Sequence, residues 1–384
     1  MKKIISLAMM AFAAVAAVSC GEDDKPTTAN GIVLKVDKDV IKCDGSDVAT
    51  FTVVTDEGEV VKDGVKFYSG MEEVDIEGFR FSTTKAGEHS FWASYKTFNS
   101  NSVLIKAINT VAPEVATDPK PGSTSFVRRV FLVQFTGTGC GYCPGMTNWL
   151  NTLRNDLGMK SKTVLAAVHS EMASGDPAYI SAPVSGSEPF RNGNGVPYLS
   201  LDMCMGTGYA NNNSELHYAG LLKDAIEERM QDAPATAGIS VNPRYEENIE
   251  NGSSGVLARV SVKSSEAAEY KVGAWLVEND LYGKQSIYNQ YVTVVQGYDY
   301  NTHNHCVRVA DSYSSSSYIG YELGQIQAGK TAEKTFVLKT SSKWKLENMR
   351  LVVFVAKKDK NGAYSINNVV ECPVDKPTPF EYAN

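Results

Sequence analysis

The sequence lacks several features that would point directly to a function. Across its 384 residues no cluster of Lys or Arg offsets the net charge of -7, so a nucleic-acid partner is not expected. No Gly-rich phosphate loop, Gly-x-Ser-x-Gly elbow or His-Glu-x-x-His motif occurs. No apolar run beyond the N-terminus is long enough to span a membrane. Apolar residues nevertheless make up 43 % of the chain, so it can bury a core, and its length suits two or three domains.

The N-terminus has the pattern of an export signal. Two lysines precede an apolar stretch over residues 4–18, which is too short for a stable membrane-spanning helix. The stretch ends in Ala17-Val18-Ser19-Cys20, which resembles the lipobox of bacterial lipoproteins. We therefore expect residues 1–19 to be a lipoprotein signal peptide and residues 20–30 to be a tether lipidated on Cys20. An ordinary signal peptide that ends near a cysteine is the alternative.

Three folded regions are predicted after the tether. Residues 31–108 contain short alternating runs separated by Asp-Gly and Glu-Gly turns, which favours a small β-sandwich, and the region resembles bacterial immunoglobulin-like modules. The proline-containing residues 109–124 are typical of a linker. Residues 125–234 follow the order strand, helix, strand, strand, helix of an α/β unit, and residues 235–384 return to strands, as in a second β-sandwich. The expected fold class is a multidomain α/β plus all-β chain.

One motif carries chemistry, a Cys-x-x-Cys at a strand-to-helix turn. Cys140 is expected just ahead of a helix N-terminus, where unpaired N–H groups and the helix dipole favour a thiolate. Cys143 can close a tight disulfide with it or resolve a mixed one. An inert disulfide and half of a zinc site are the alternatives, with Cys204 and His169 as further zinc ligands. An exported compartment favours the disulfide at rest.

The region around this motif resembles the thioredoxin fold. Residues 131–143, followed by a helix and then by Gly195-Val196-Pro197, carry the resemblance. It implies that Pro197 is cis, faces the cysteine pair and leaves the preceding backbone free to bind an extended peptide. Under this interpretation Cys140 is the nucleophile, Cys143 resolves the mixed disulfide and Pro197 presents the substrate.

Two residues differ from those of working thioredoxins. Gln134 stands where the oxidoreductases have a buried acid, and an amide cannot accept and release a proton near neutral pH. Gly139 replaces the tryptophan that usually shields the pair. Both differences argue against efficient reductase turnover, and they leave a slow disulfide donor, an isomerase or a redox-sensing bond open.

A narrower family resemblance adds a location. Together with the lipobox, Phe135-Thr136-Gly137 and residues 300–308 are similar to an outer-membrane lipoprotein family named for a founding member of about twenty-eight kilodaltons. The resemblance covers residues 110–384 and implies a thioredoxin-like unit followed by a β-rich part. It also implies that the lipid on Cys20 holds the chain at the outer membrane, facing either the periplasm or the cell surface.

The other candidate ligands lie in the C-terminal region. His303, His305 and Cys306 could bind a metal, since alternate residues on a strand share one face, although isolated clusters of this kind are more often part of a loop or core. Cys306 and Cys372 could pair, whereas Cys43 and Cys204 have no evident partner within their own domains. No cofactor is expected.

Two classes of function follow from these patterns. In the first, which we favour, the exported lipoprotein uses its central domain as a scaffold or binding module for an envelope or host protein or a glycan. In the second, it is a thiol–disulfide oxidoreductase or isomerase that acts on envelope proteins through Cys140 and Cys143. Gln134 favours the first class, and the intact cysteine pair keeps the second open.

Overall fold

The structure is a computed structural model that describes residues 31–170, 174–181, 187–188, 190–191, 193–209, 215–312 and 319–383. The predicted signal peptide and the tether with Cys20 lie outside the described residues. The chain divides into two compact units, Met1–Val111 and Ala112–Asn384. Within the described ranges, no helix has the length and apolar character needed to cross a membrane.

The described part of the first unit, residues 31–111, contains strands and one short 3₁₀ turn, Glu77–Phe79. Its strands are β1 (Ile32–Val36), β2 (Val40–Lys42), β3 (Ala49–Thr55), β4 (Val60–Val61), β5 (Val65–Ser69), β6 (Glu72–Val74), β7 (Arg80–Phe81), β8 (Gly87–Tyr95), β9 (Phe98–Asn99) and β10 (Val103–Ile108). Strands β1, β3, β4 and β7 form one sheet, and the other six form a second sheet. Side chains that alternate along the strands, such as Phe51 and Phe91, meet in a core to which both sheets contribute.

The second unit adds helices to a larger set of strands. Its strands are β11 (Val130–Thr136), β12 (Thr163–His169), β13 (Tyr198–Leu201), β14 (Met205–Gly208), β15 (Ala237–Glu250), β16 (Ser253–Ser264), β17 (Ala268–Glu278), β18 (Leu281–Tyr282), β19 (Thr302–His303), β20 (Cys306–Asp311), β21 (Tyr321–Ile326), β22 (Thr331–Lys339), β23 (Met349–Lys358) and β24 (Tyr364–Pro373). The α-helices are α1 (Cys143–Asn151) and α2 (Glu215–Asp232), and α1 continues into a π-helical segment, Thr152–Asp156. Short 3₁₀ helices cover Met159–Lys162 and Leu346–Asn348.

A nine-stranded sheet organises this unit. Its order is β14-β13-β11-β12-β20-β17-β23-β24, and β21 also pairs with β17. Strand β11 runs parallel to β12, and β12 meets β20 in parallel through Ala167 and Cys306. A separate three-stranded sheet has the order β15-β16-β22, and β18 pairs with β19.

Strand β11 lies between two cores, and this explains its continuous apolar sequence. Phe131 and Val133 pack into a core that contains Phe354 of β23. On the opposite face, Leu132 packs with Trp149 of α1. A strand buried on both faces needs apolar residues at every position rather than at alternate ones.

The predicted fold class is wrong. Of the described residues, 46 % lie in strands and 14 % in helices, and they include two α-helices. The strands expected to form a separate thioredoxin-like domain between two sandwiches lie in the same nine-stranded sheet as strands from residues 268–373. The pairing of β12 with β20 joins segments that are far apart in sequence, and such pairing leaves no periodic signal in either segment.

Candidate functional site

The cysteine pair lies where β11 ends and α1 begins. Cys143 is the first residue of α1, and its amide nitrogen lies 3.2 Å from the carbonyl oxygen of Cys140, which accepts its hydrogen bond. The two sulfur atoms form the expected disulfide, with Cα atoms 5.4 Å apart. Pro144 lies in the first turn of α1, where a missing N–H leaves no hydrogen bond unmade. Both cysteines are buried, with 3 % and 1 % of their surface exposed.

A segment from a distant part of the chain covers this turn. We call residues 283–295 the cover segment. The amide of Tyr288 donates to the carbonyl oxygen of Gly141 at 2.9 Å. The side-chain Nε2 of Gln285 donates to the carbonyl oxygen of Cys140, also at 2.9 Å. These bonds satisfy the carbonyl groups of the turn and hold the cover segment against it.

Tyrosine rings complete the contact between the cover segment and the motif. The ring of Tyr142, between the two cysteines, meets the ring of Tyr288 edge to face, with centroids 5.0 Å apart. A Cβ atom added to Gly141 would lie 2.5 Å from the ring of Tyr288, and a Cβ added to Gly145 would collide with the ring of Tyr209. Close approach of an aromatic ring therefore explains glycine at both positions.

Helix α1 anchors the C-terminal end of the cover segment. The buried Asn148 donates from Nδ2 to the carbonyl oxygen of Thr293 at 2.8 Å, and its Oδ1 accepts from the Tyr300 hydroxyl at 2.7 Å. The same hydroxyl accepts from the amide of Val295 at 3.0 Å. One buried amide side chain thus links the helix to both the cover segment and the residues that follow it.

The outer side of the cover segment is exposed. Tyr288 is 49 % exposed, Tyr282 just before the segment is 72 % exposed, and Val294 and Val295 also face solvent. Tyrosine is enriched at protein interfaces because it combines a large apolar surface with a hydroxyl group. The segment therefore shields the disulfide on its inner side and presents an aromatic surface on its outer side.

Two further residues singled out in the sequence lie at the same end of the sheet. The Val196–Pro197 peptide bond is cis, and Pro197 directly precedes β13. Strand β13 begins with Tyr198, which pairs with Phe135 near the end of β11. Gln134 is buried in β11. The roles assigned to Pro197 and the cysteines in thiol chemistry stay predictions.

The candidate metal ligands are engaged in other contacts. Nε2 of His303 lies 3.0 Å from the carbonyl oxygen of Gly283, and Nδ1 of His169 lies 2.9 Å from a carboxylate oxygen of Asp176. In the described part of the chain, no group of three His, Cys, Asp or Glu side chains is placed to hold a metal ion. The zinc alternative also needs two thiolates from the motif, and those sulfur atoms are bonded to each other.

The other described cysteines are free thiols, namely Cys43, Cys204, Cys306 and Cys372. Cys306 and Cys372, which could have paired, remain separate and buried. Burial raises the pKa of the Cys306 thiol far above its usual range and raises the pKa of Cys372 to about 12. Neither is a thiolate at neutral pH, so neither is a reactive nucleophile.

A polar cavity of about 540 Å³ beside α1 was not predicted from the sequence. Arg154 of the π-helical segment and His305 both line it, and Nη1 of Arg154 lies 3.3 Å from Nε2 of His305. Burial, with a smaller effect of the charges on Arg154 and Lys160, lowers the pKa of His305 to about 3, so its ring is neutral at pH 7. No sequence pattern marks Arg154, whereas His305 was a candidate metal ligand and lies in residues 300–308, which carry the family resemblance. The sequence offered one signal for a binding surface near the cover segment, the closely spaced tyrosines between residues 288 and 300.

Comparison with known proteins gives a family match over part of the chain and weak likenesses to several solved structures. Residues 211–376 match the family model of the outer membrane protein Omp28, which supports an outer-membrane location. No curated protein matches the chain. HBP35 of Porphyromonas gingivalis is 19 % identical with a TM-score of 0.49, covering 67 % of this chain and 78 % of that one. A protein from Agrobacterium tumefaciens is 13 % identical with a TM-score of 0.40, covering 66 % and 97 %. The cysteine pair precedes the residues matched by the family model.

Proposed function

We propose that this chain is an outer-membrane lipoprotein, anchored through Cys20, that acts as a binding module for an envelope or host protein or a glycan. The observation that carries the proposal is the two-sided cover segment, which buries a disulfide and exposes tyrosines. The family match over residues 211–376 supports the location, and the lipobox supports the anchor.

The burial of the disulfide favours binding over catalysis. Thiol–disulfide exchange requires a thiolate to reach one sulfur atom and form a mixed disulfide. Cys140 and Cys143 lie beneath the cover segment, whose backbone is hydrogen-bonded to the turn between them. A thiolate therefore reaches them only after the cover segment opens. In this proposal the disulfide braces the turn on which the tyrosine surface rests.

A thiol–disulfide oxidoreductase or isomerase is the second candidate, because the disulfide closes at the N-terminus of α1. The helix dipole at that position would favour a thiolate once the bond is reduced. In this alternative Cys140 attacks, Cys143 resolves and Pro197 presents the substrate. It requires the cover segment to open in each cycle, and Gln134 offers no proton relay.

An insulin-reduction assay separates the two candidates. We expect the chain without its signal peptide to reduce insulin no faster than its Cys140→Ser variant, because the covered bond does not turn over. Thermal unfolding of both chains confirms that the variant is folded. Activity clearly above that of the variant would favour the oxidoreductase and contradict a role limited to binding.

Site-specific photocrosslinking in cells tests the tyrosine surface. A photoreactive phenylalanine analogue at position 282 should form a defined adduct in the outer membrane, because this side chain is exposed beside the cover segment. The same analogue in place of Leu221, which is exposed on α2, is the matched control. Adducts of equal yield at both positions, or none at position 282, would argue against a binding surface there.

The lipid anchor has its own test. Cys20→Ala should abolish labelling of the protein by a radioactive or clickable fatty acid, because the lipid attaches to that sulfur and to the new N-terminus that cleavage creates. Cys204→Ala, which changes an exposed free thiol, should be labelled normally. A labelled Cys20→Ala protein would contradict the anchor.

A further inference from the structure

Three tyrosine rings meet above the cysteine turn. The ring of Tyr142 contacts the rings of both Tyr288 and Tyr291, with centroids 5.0 Å and 5.6 Å away. Tyr142 is partly exposed, and Tyr291 is 37 % exposed. We call these three residues the tyrosine platform. Exposed rings in contact with one another form an apolar surface against which a ligand can pack.

Hydrogen bonds fix the backbone of the platform. The amides of Tyr291 and Val292 both donate to the carbonyl oxygen of Tyr288, at 2.8 Å and 3.0 Å, so residues 288–292 form a closed turn. The amide of Tyr288 is bonded to Gly141, and the carbonyl oxygen of Tyr291 accepts from the Tyr209 hydroxyl at 3.1 Å. A surface that is already ordered loses little conformational entropy when a ligand binds to it.

The same turn presents two amide side chains. Asn289 and Gln290 lie between the two platform tyrosines of the cover segment, and both are exposed. Within the described ranges, neither side chain forms a hydrogen bond. Each amide offers two N–H donors and one acceptor oxygen, and solvent reaches both residues. The surface therefore combines apolar rings with accessible donors and acceptors that the protein does not use.

The segments that build this surface carry no charge. Residues 137–153 and 285–298 contain no Asp, Glu, Lys or Arg. The chain has a net charge of -7, so an acidic ligand would be repelled without a cation from these segments to compensate. The matching ligand is electrically neutral, with an apolar face for the rings and polar groups for the amides.

We propose that the tyrosine platform binds a neutral oligosaccharide. The C–H groups on the face of a pyranose ring pack against an aromatic ring, and the hydroxyl groups around its edge bond amide side chains in either sense. The inference rests on the proposed binding function and names its ligand, a glycan instead of a protein.

Two features favour a sugar over the other macromolecular partners. An apolar lipid or protein surface would cover the amides of Asn289 and Gln290 without bonding them, and burial of an unbonded amide is unfavourable. A lipid surface with anionic phosphates is also attracted by Lys and Arg, which residues 285–298 lack. Sugar hydroxyl groups satisfy the amides and need no charge.

Calorimetry on the full chain without its signal peptide tests this proposal. The neutral probes are maltohexaose, cellohexaose and mannohexaose, and the acidic probe is hexagalacturonate. At least one neutral probe should bind saturably and at least about tenfold more tightly than hexagalacturonate, because the surface offers no cation to a carboxylate. Hexagalacturonate that binds as tightly as every neutral probe would refute the preference for a neutral ligand.

Absence of saturable binding by all three neutral probes would overturn the proposal. The photocrosslinking experiment at position 282 then separates this failure from a failure of the binding function itself. A protein adduct at that position would show that the chain is a binding module whose ligand is a protein, whereas no adduct would contradict the binding function as well.

Variants of one platform residue assign the binding to the rings. Tyr291→Ala should weaken binding of the neutral probe by about tenfold, whereas Tyr291→Phe should stay within about twofold of the unaltered chain, because the ring does the stacking. Val294→Ala, at a 50 % exposed residue of the same segment, is the control and should leave the affinity unchanged. An equal loss in Tyr291→Ala and Val294→Ala, or in Tyr291→Ala and Tyr291→Phe, would contradict stacking on the platform.

A measurement on the unaltered chain covers the case in which Tyr291→Ala does not fold. In saturation-transfer NMR, irradiation of the aromatic protons should transfer most strongly to the C–H protons of the bound sugar rings, because these pack against the tyrosines. A chain grown with ring-deuterated tyrosine should lose most of this transfer. Equal transfer in both preparations would contradict the proposal.

Discussion

The two sites beside α1 differ in how completely their polar groups are satisfied. At the disulfide turn, the carbonyl of Cys140 accepts from Gln285, and Asn148 uses both ends of its amide group. Arg154 and His305, two residues that line the cavity, each keep an enclosed donor without a partner among the described residues. A site with complete hydrogen bonds keeps its shape unaided, whereas a site with incomplete ones gains most from a ligand.

A chemical motif in the sequence therefore does not mark the place where the structure is open to a ligand. The Cys-x-x-Cys pair is the one chemical motif in the sequence, and it lies in the site that the structure closes. The cavity is lined by Arg154, which no sequence pattern marks, and by His305, which the sequence marked only as a candidate metal ligand. Binding chemistry in this unit therefore has to be sought where polar groups lack partners, and a reactive residue type alone does not locate it.

The largest expected effect concerns the seal over the disulfide. In Gly141→Ala the new Cβ would lie 2.5 Å from the ring of Tyr288, so the ring must leave its place. Dithiothreitol should then reduce the disulfide at least about tenfold faster, because opening of the cover segment no longer limits access. Thiol labelling after timed exposure to the reductant measures this rate.

The control for this experiment is Gly122→Ala. A Cβ at Gly122 meets no atom within 4 Å, so this variant should be reduced at the rate of the unaltered chain. If Gly141→Ala is also reduced at that rate, the tyrosine contact does not seal the bond and the two sites are more alike than the structure suggests.

The local elements around the closed site follow from sequence pattern. The apolar run that forms β11 predicts a strand buried on both faces, and the Cys-x-x-Cys with its following proline predicts a turn into a helix. Both signals lie within a few residues of the structure they specify. Glycine at positions 141 and 145 is consistent with the close approach of other groups, but the sequence does not identify those groups as the rings of Tyr288 and Tyr209.

The long-range parts could not be predicted in the same way. The cover segment contacts the cysteine turn, although β12 and β17 lie between the two in the sequence. The nine-stranded sheet likewise joins regions whose sequence patterns resemble separate domains. The cavity is harder still, because an enclosed donor such as Nδ1 of His305 is defined by the acceptors that are missing around it. That property belongs to the packed structure and has no periodic or compositional signal.

Loss of the disulfide should have the next largest effect. Replacing Cys140 and Cys143 together by serine should lower the free energy of unfolding by about 2 kcal/mol, because a short covalent loop no longer restricts the unfolded chain. Urea denaturation measures the change. Cys204→Ser, at an exposed free thiol, should change it by less than about 0.5 kcal/mol. Equal effects would mean that the bond does not brace the closed site.

The cavity should make the chain sensitive to acid. Burial lowers the pKa of His305 from 6.5 to about 3, so between these values the unfolded chain binds a proton that the folded chain does not. Stability should therefore fall as the pH drops below about 6.5, by at most about 1.4 kcal/mol per pH unit from this group. His305→Gln should remove this contribution, as measured by urea midpoints at pH 7 and pH 5. The same pH dependence in the unaltered chain and in His305→Gln would show that the His305 ring is not buried.

The smallest expected effect tests the hydrogen bond that completes the closed site. Gln285→Ala removes the donor to the carbonyl of Cys140, and the loss of about 1 kcal/mol should speed reduction of the disulfide about fivefold. Gln285→Glu should speed it further, because a carboxylate would then face the carbonyl oxygens of Cys140 and Thr138 without a proton to donate. Gln325→Ala, on the exposed part of β21, should leave the rate unchanged. If the glutamate variant is reduced at the rate of the unaltered chain, Gln285 only fills space, and the closed site would then rest on the backbone hydrogen bonds of the cover segment alone.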